Sequence, residues 1–72
     1  MLELPLITGS VPAARRFVRH LMLDSDSVAD IDTASLLVTE IVTNAVLHAV
    51  APMTLRVEVS ADVVRIEVRD GS

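Results

Sequence analysis

The sequence predicts an α+β fold, a two-layer sandwich fragment in which two helices pack on one face of a small, largely antiparallel sheet. Two stretches repeat apolar residues at helical spacing, and three short stretches alternate apolar and other residues as strands do. The 72-residue chain is 51% hydrophobic, which is a composition that folds rather than one that stays disordered. We expect a single domain with short breaks at residues 8–12, 24–27 and 51–52.

The first element is a short strand near the N-terminus. Leu2, Leu4 and Leu6 alternate with Glu3 and Pro5. Because proline has no N–H to give to a sheet ladder, this strand is expected at an edge of the sheet.

The second element is an amphipathic helix from about Val11 to Met22. Ser10 is a candidate N-cap, and Pro12 suits the first turn. Apolar residues recur at helical spacing, at Ala14, Phe17, Val18 and Leu21. The opposite side is basic and carries Arg15, Arg16, Arg19 and His20. Both a solvated face and a partner-binding surface give this pattern, whereas a membrane-surface helix needs larger apolar anchors.

The third element is the main core helix, which is expected to end at about His48. Either Asp30 or Asp32 is a suitable N-cap for it. At the helical repeat, its apolar residues form one broad stripe, made of Ile31, Ala34, Val38, Ile41, Val42, Ala45 and Ala49.

A β-hairpin follows. Two runs of three apolar residues alternate with charged ones, at Leu55, Val57, Val59 and at Val64, Ile66, Val68. Pairing Val59 with Val64 places Arg56 opposite Glu67 and Glu58 opposite Arg65, so that opposite charges face each other. This register allows a loop of residues 61–62 or of residues 60–63. Alanine at position 61 suits a tight turn poorly, which favours the longer loop.

Polar side chains in two places are candidates for a site. Glu40, Asn44 and His48 follow one another at helical spacing and form a ridge, although a solvated face also gives this pattern. The alternation that directs Val68 to the core directs Asp70 to the same side of the sheet. A carboxylate buried there needs a hydrogen-bond donor, which a bound ligand could provide. Alternatively, the strand ends after Val68 and leaves Asp70 in water.

The bulk composition excludes several function classes. A net charge of −4 and a pI of 4.8 argue against direct binding to nucleic acid. Without cysteine there is no thiolate metal site or disulfide, and without lysine there is no Gly-Lys-Ser/Thr phosphate loop. No apolar run is long enough to span a membrane, and the N-terminus lacks signal-peptide features. We expect a soluble cytoplasmic protein.

Two strings give a family resemblance. EIVTNAVLHA, at residues 40–49, resembles the N-box of the GHKL (histidine-kinase-like) ATPases as it occurs in anti-sigma-factor serine kinases. RIEVRDGS, at residues 65–72, resembles the strand that leads into their G1 box. The resemblance implies that residues 1–72 form the N-terminal half of a Bergerat-type ATP-binding domain. The ATP lid, the later glycine boxes and the remaining strands have no counterpart.

The resemblance also implies roles for individual residues. Asn44 would ligate the Mg²⁺ that bridges the ATP phosphates, and Glu40 would act as general base. Asp70 would accept a hydrogen bond from the adenine amino group, and Gly71 would let the backbone approach the base. His48 matches a usual N-box residue, with a role in the pocket wall or the core. One departure is that Gly71 directly follows Asp70, whereas the general pattern has one residue between them.

The implied function is that of an ATP- and Mg²⁺-binding regulatory module, a serine/threonine protein kinase of bacterial transcription control. Its expected partner is a sigma factor or an anti-anti-sigma-like protein. Without the lid, the chain alone is not expected to be active as a kinase. The alternatives are a catalytically silent interaction module of the same fold and an unrelated small α/β domain. Because the core is incomplete, we also expect a homodimer, formed through the hairpin edge or the N-terminal segment.

Overall fold

A computed structural model of the chain describes residues 1–24 and 30–71. Its elements follow in the order β1 (Leu2–Leu4), α1 (Ser10–Leu23), α2 (Ile31–His48), β2 (Met53–Val59) and β3 (Val64–Arg69). The strands form one antiparallel sheet in the order β1-β2-β3, against which the two helices pack. The predicted α+β arrangement is confirmed, with β1 at an edge. Residues 25–27 of the predicted break at 24–27 lie outside the described residues, and so does Ser72.

The core lies between the central strand and the two helices. Met53 and Leu55 of β2 are fully buried, together with Val18 of α1 and with Val38 and Val42 of α2. Strand β2 is paired with β1 over Met53–Leu55 and with β3 over Thr54–Val59, so its first residues are the most enclosed part of the sheet, and their apolar side chains are buried. The other face of the sheet carries charged residues, as the strand alternation predicts.

The start of α1 differs from the prediction. Ser10 lies inside the helix, Gly9 occupies the N-cap position, and no side chain caps the first turn. The Ser10 side chain is buried, and its hydroxyl donates a hydrogen bond of 2.6 Å to the Pro5 carbonyl. Ser10 therefore ties the helix to the segment after β1, because the chain folds back tightly between Pro5 and Val11. Pro12 lies in the first turn, as predicted.

One residue of the basic face joins the two helices. Arg15 is half-buried, and its Nη1 donates to the Thr39 hydroxyl of α2 across 3.4 Å. Arg16, Arg19 and His20 are exposed. The basic surface of α1 is thus narrower than the helical periodicity predicts, because α2 lies beside α1 and covers one flank of it.

Helix α2 begins at the first of the two candidate caps. The Asp30 carboxylate accepts hydrogen bonds from the backbone N–H of Asp32 at 2.9 Å and of Thr33 at 3.4 Å. Ala34, Val38 and Val42 of the predicted stripe are buried. Ile41 does not belong to the core, since 37% of it is exposed. Ile31 and Ala45 are partly buried against the core, so the stripe departs from the prediction chiefly at Ile41.

We predict that Asp30→Ala lowers the melting temperature by about 5 °C, as expected for the loss of a helix N-cap. Hydrogen bonds from the Thr33 hydroxyl, and then from the backbone of Thr33 and Asp32, hold the pKa of Asp30 below its ordinary value of 3.8. A lowered pKa contributes stability above the ordinary value and loses it as the pH falls through the folded-state value. The difference between Asp30→Ala and the wild type should therefore shrink below pH 3.8.

Thermal melts followed by circular dichroism across this acidic range measure that difference. Asp32→Ala is the matched control, because Asp32 has the same side chain two residues later and is not the N-cap. Equal melting temperatures for Asp30→Ala and Asp32→Ala would contradict the cap assignment.

The hairpin register is the predicted one. Val59 pairs with Val64, Glu58 with Arg65 and Arg56 with Glu67, and residues 60–63 form the loop. The Ser60 N–H closes this loop by donating to the Val63 carbonyl at 2.9 Å. The close ion pairs on the charged face run along the strands, between Arg56 and Glu58 and between Glu67 and Arg69. Residues two apart on a strand point to the same face, so a charged side chain can pair with such a neighbour instead of with its partner on the adjacent strand.

Candidate functional site

The candidate site lies where the C-terminal half of α2 meets the end of β3. The Gly71 N–H donates a hydrogen bond of 2.6 Å to the Val50 carbonyl. The Val50 N–H in turn faces the Asp70 carboxylate, at 3.4 Å from Oδ2. These two contacts hold the residues that follow β3 against the segment that follows α2, and so fix both walls of the site.

Between these walls lies a cleft of 630 Å³. It is lined by Ile41, Asn44, Ala45, His48, Ala49, Val68, Arg69 and Asp70. Ile41, Asn44 and His48 are three and four residues apart, which places them on one flank of α2. That flank overhangs the end of β3, and the cleft is the space between them.

The structure brings three of the five predicted site residues together. Asn44 and His48 line the cleft from α2, and Asp70 lines it from the other side. Glu40 lies on the exposed surface of α2, one turn before Asn44, and is not among the lining residues. The flank of a helix drifts with each step of four residues, because four residues exceed one turn of 3.6. Glu40 is therefore offset from Asn44 around the helix as well as one turn before it, and it lies beside the cleft rather than in its lining.

Asp70 is exposed, as in the second of the two alternatives that the sequence left open for it, and it is not buried as strand alternation alone predicts. Strand β3 ends at Arg69, and Asp70 is exposed at the mouth of the cleft. Helix α2 ends near this level, at His48, so the helix does not extend over the carboxylate. Asp70 still faces the helix side of the sheet and lines the cleft with Asn44 and His48.

Gly71 has a packing role that the sequence did not indicate. A Cβ at this position would collide with the Ala51 carbonyl oxygen and would lie 3.1 Å from Pro52 Cδ. Only glycine therefore lets the chain after β3 come close enough to bond to Val50. Gly71 itself is not among the residues that line the cleft.

Sequence reasoning missed Arg69 as a lining residue. Its place in the strand alternation assigns it to the charged face, but it is the last residue of β3 and reaches the cleft from the strand end. Its guanidinium Nε donates to Glu67 Oε1 at 2.5 Å. This hydrogen bond holds the pKa of Glu67 below its ordinary value and raises that of Arg69. Its position in the sequence, directly before the candidate site residue Asp70, was the signal that could have identified Arg69 as a lining residue.

The cleft combines apolar walls with a few polar groups. Ile41, Ala45 and Val68 supply apolar surface, while the Asn44 amide and the Asp70 carboxylate supply hydrogen-bonding oxygens. Its volume falls in the range of about 300–1,000 Å³ that is usual for small-molecule sites. Such a lining offers hydrogen-bond acceptors next to apolar surface to a small molecule that carries donors.

The described residues contain no cluster of three or more His, Cys, Asp or Glu side chains that could hold a metal ion. A protein-built metal cage is therefore absent from residues 1–24 and 30–71. Mg²⁺ is commonly bound through few protein oxygens, with water and substrate phosphates completing its shell. The Asn44 amide oxygen is compatible with a site of that second kind.

Comparisons with known proteins return no match: no protein-family model, no curated protein and no solved structure resembles this chain closely enough to be reported. Across the part of the chain that the structure describes, no helix has both the length and the apolar character needed to cross a membrane.

Proposed function

We propose that this chain is an ATP- and Mg²⁺-binding regulatory module similar to the anti-sigma-factor serine/threonine protein kinases of the GHKL superfamily. One observation carries the proposal. Asn44 and Asp70, which belong to two separate strings with that resemblance, line the same cleft. The two strings are separated in the sequence by most of the hairpin, and their candidate nucleotide ligands line one small-molecule-sized site.

In this proposal the two ends of the nucleotide contact different elements. Asp70 accepts a hydrogen bond from the adenine amino group, next to the apolar surface of Ile41 and Val68. Asn44 contributes its amide oxygen to the Mg²⁺ that neutralises the phosphates. His48 is part of the cleft wall. Gly71 supports the site indirectly, because it permits the close approach to Ala51 that positions Asp70.

Phosphoryl transfer belongs to a larger assembly in this proposal. Glu40 is exposed on α2 outside the cleft lining, so a hydroxyl that reacts beside it has to be presented from solvent, as a protein substrate would present one. The expected partner is a sigma factor or an anti-anti-sigma-like protein. The resemblance places the lid that encloses the triphosphate beyond these strings. A cytoplasmic location is part of the same proposal.

The proposal is tested by isothermal titration of Mg-ATP into the chain, with ATP plus EDTA as the parallel titration. We expect saturable binding that requires the metal. GTP is the matched control ligand, because it has the same phosphates but a carbonyl where adenine carries its amino group. Absence of any heat of binding for Mg-ATP, or equal affinities for ATP and GTP, would reject the assignment of the cleft.

We predict that Glu40→Gln leaves Mg-ATP affinity within about twofold and lowers phosphoryl transfer at least 100-fold, in the range of general-base contributions. Glutamine keeps the size of the side chain but cannot accept the proton of the attacking hydroxyl. Transfer is measured as labelled phosphate on a partner protein, in an assembly that is active with the wild-type chain. A loss of ATP affinity instead would make Glu40 a binding residue.

A second function is favoured by the surface of α2. Leu36, Leu37 and Leu47 are exposed large apolar side chains on this helix. Single exposed apolar residues are ordinary, but Leu37 and Ile41 are exposed neighbours one turn apart, and adjacent apolar side chains indicate a contact surface. A catalytically silent interaction module of the same fold would use this surface without nucleotide. The titration separates the two functions, since the silent module binds no Mg-ATP.

A further inference from the structure

The dipeptide Asp70–Gly71 directly follows β3 and lies against the segment after α2. It is the one place in the sequence where an aspartate precedes a glycine. Such a pair is prone to a spontaneous rearrangement of the backbone, because glycine has no Cβ to hinder attack by its own nitrogen. Both residues are exposed, so water reaches them.

The rearrangement converts aspartate into isoaspartate in two steps. The backbone nitrogen of Gly71 attacks Cγ of Asp70, and a C–N bond forms. The protonated carboxyl group loses its hydroxyl, which leaves as water with the N–H proton, and a succinimide ring results. Water then opens this ring at either of its carbonyl groups. Opening at the main-chain carbonyl of Asp70 leaves the backbone running through Cγ, so the backbone gains a methylene and the carboxylate moves onto Cα.

Both reacting groups are hydrogen-bonded to the same residue, Val50. The Gly71 N–H donates to the Val50 carbonyl at 2.6 Å, and the Val50 N–H donates to Asp70 Oδ2 at 3.4 Å. The attacking nitrogen has to give up its proton, which the first bond holds against a carbonyl oxygen that cannot remove it. The carboxyl group has to turn toward that nitrogen, whereas the second bond holds it toward Val50. Ring closure therefore requires both hydrogen bonds to break.

Packing also confines the backbone of Gly71. A Cβ built on this residue would collide with the Ala51 carbonyl oxygen and would lie 3.1 Å from Pro52 Cδ. To bring its nitrogen to Cγ, the peptide plane between Asp70 and Gly71 has to rotate, and this rotation moves Gly71 out of its close packing. The chain after β3 must detach from the segment after α2 before the ring can form, which is a local opening of the fold.

Asp62 provides a contrast within the same chain. It is exposed in the hairpin loop, and the residue after it is Val63, whose branched side chain hinders attack by the backbone nitrogen. Asp62 is therefore protected by its neighbour in the sequence, in the folded and in the unfolded chain. Asp70 has no such neighbour, so its protection comes from the fold.

We propose that Asp70–Gly71 is a modification site, at which isoaspartate forms spontaneously when the hydrogen bonds to Val50 open. While these bonds are closed, they preserve Asp70 as an aspartate. One consequence rests on the proposed function: isoaspartate displaces the carboxylate that accepts from the adenine amino group, so each modified chain loses Mg-ATP binding. The modification itself does not depend on nucleotide binding.

The first test compares ageing of the folded chain with ageing of the same chain in urea, at one pH and temperature. Mass spectrometry with electron-based fragmentation distinguishes isoaspartate from aspartate at Asp70 and at Asp62. We expect isoaspartate at Asp70 to form at least about tenfold more slowly in the folded chain, because reaction is limited to the opened fraction. Asp62 is the internal control and should form far less isoaspartate in either condition. Equal rates at Asp70 in the two conditions, or no isoaspartate at Asp70 in urea, overturn the proposal.

The second test removes one of the two hydrogen bonds. Val50→Pro lacks the backbone N–H that donates to Asp70 and keeps the carbonyl, and proline fits here because Ala49 before it is extended, with φ −82° and ψ 172°. Val50→Ala is the matched control, since it loses the side chain and keeps the N–H. We expect Asp70 to isomerise at least about threefold faster in folded Val50→Pro than in Val50→Ala, as for the loss of one hydrogen bond. Equal rates in the two variants overturn the role of Val50. Circular dichroism verifies the fold, and if Val50→Pro does not fold, the first test decides.

Titration of Mg-ATP into aged material tests the consequence for the cleft. Chain aged in urea is refolded, and its binding stoichiometry is compared with its measured fraction of isoaspartate at Asp70. We expect the stoichiometry to fall in proportion to that fraction, whereas chain aged in the folded state for the same time retains it. Undiminished stoichiometry in the modified material overturns this consequence. If fresh chain binds no Mg-ATP, the proposed function fails, while the isoaspartate rates still test the modification site.

Discussion

Asn44→Ala is expected to weaken the binding of Mg-ATP to this chain by about 100-fold or more. Loss of a group that only orients a metal ligand already costs about 10–100-fold in metal affinity, and Asn44 is the proposed ligand itself. Because Asn44 is exposed at the cleft and outside the buried stripe of α2, alanine should not disturb the fold. Isothermal titration with Mg-ATP measures the affinity, and circular dichroism verifies the fold.

Thr43→Ala is the control for this experiment. Thr43 is the neighbouring residue on α2, is exposed and does not line the cleft. The Thr43→Ala variant should therefore bind Mg-ATP with the affinity of the wild type. A second comparison isolates the metal, since Asn44→Ala and the wild type should differ little in their residual affinity for ATP with EDTA. If Asn44→Ala binds Mg-ATP as the wild type does, Asn44 has no role as metal ligand.

Leu55→Ala is expected to leave the chain largely unfolded at room temperature. Leu55 lies on the central strand, and its fully buried side chain belongs to the core cluster that also contains residues of both helices. Truncating a buried leucine costs about 2–5 kcal/mol. A domain of this size rarely has more than about 3–5 kcal/mol of net stability. The free energy of unfolding, measured by urea titration with circular dichroism, should therefore fall close to zero.

Leu47→Ala provides the matched substitution on the surface. Leu47 is 69% exposed on α2, so the same change of side chain should alter the free energy of unfolding by about 0.5 kcal/mol or less. If the two leucine variants lose equal stability, the packing of β2 against the helices is not the main source of stability. Both measurements belong at a concentration where the wild type and the variant have the same oligomeric state.

Much of the fold could be predicted from the sequence because its local signals agree. Two helical stripes, three alternating stretches and the charge pairs of the hairpin each predicted an element, and the register through Val59 and Val64 is the observed one. The Asp30 cap was one of two alternatives. The misplaced Ser10 cap and the exposed Ile41 have a common cause. Both depend on how far a neighbouring segment covers the helix, which no local pattern encodes.

The candidate site was predictable in its residue types and only partly in its arrangement. Helical spacing placed Asn44 and His48 on one ridge, strand alternation directed Asp70 to the helix side of the sheet, and all three line one cleft in the structure. The same spacing extends the ridge to Glu40, which lies outside the cleft. Arg69 enters the lining from a strand end, where alternation no longer dictates direction.

The sequence by itself determined the elements, the hairpin register and the candidate polar residues. The elements follow from the period of the apolar residues, and the register follows from opposite charges on the two neighbouring strands of the hairpin. The tertiary structure alone decided the rotation of α2 above the sheet and the docking of Gly71 against Val50. Those depend on side-chain shapes from distant segments that fit together. The width of the cleft, the exposure of Asp70 and the position of Glu40 follow from that fit.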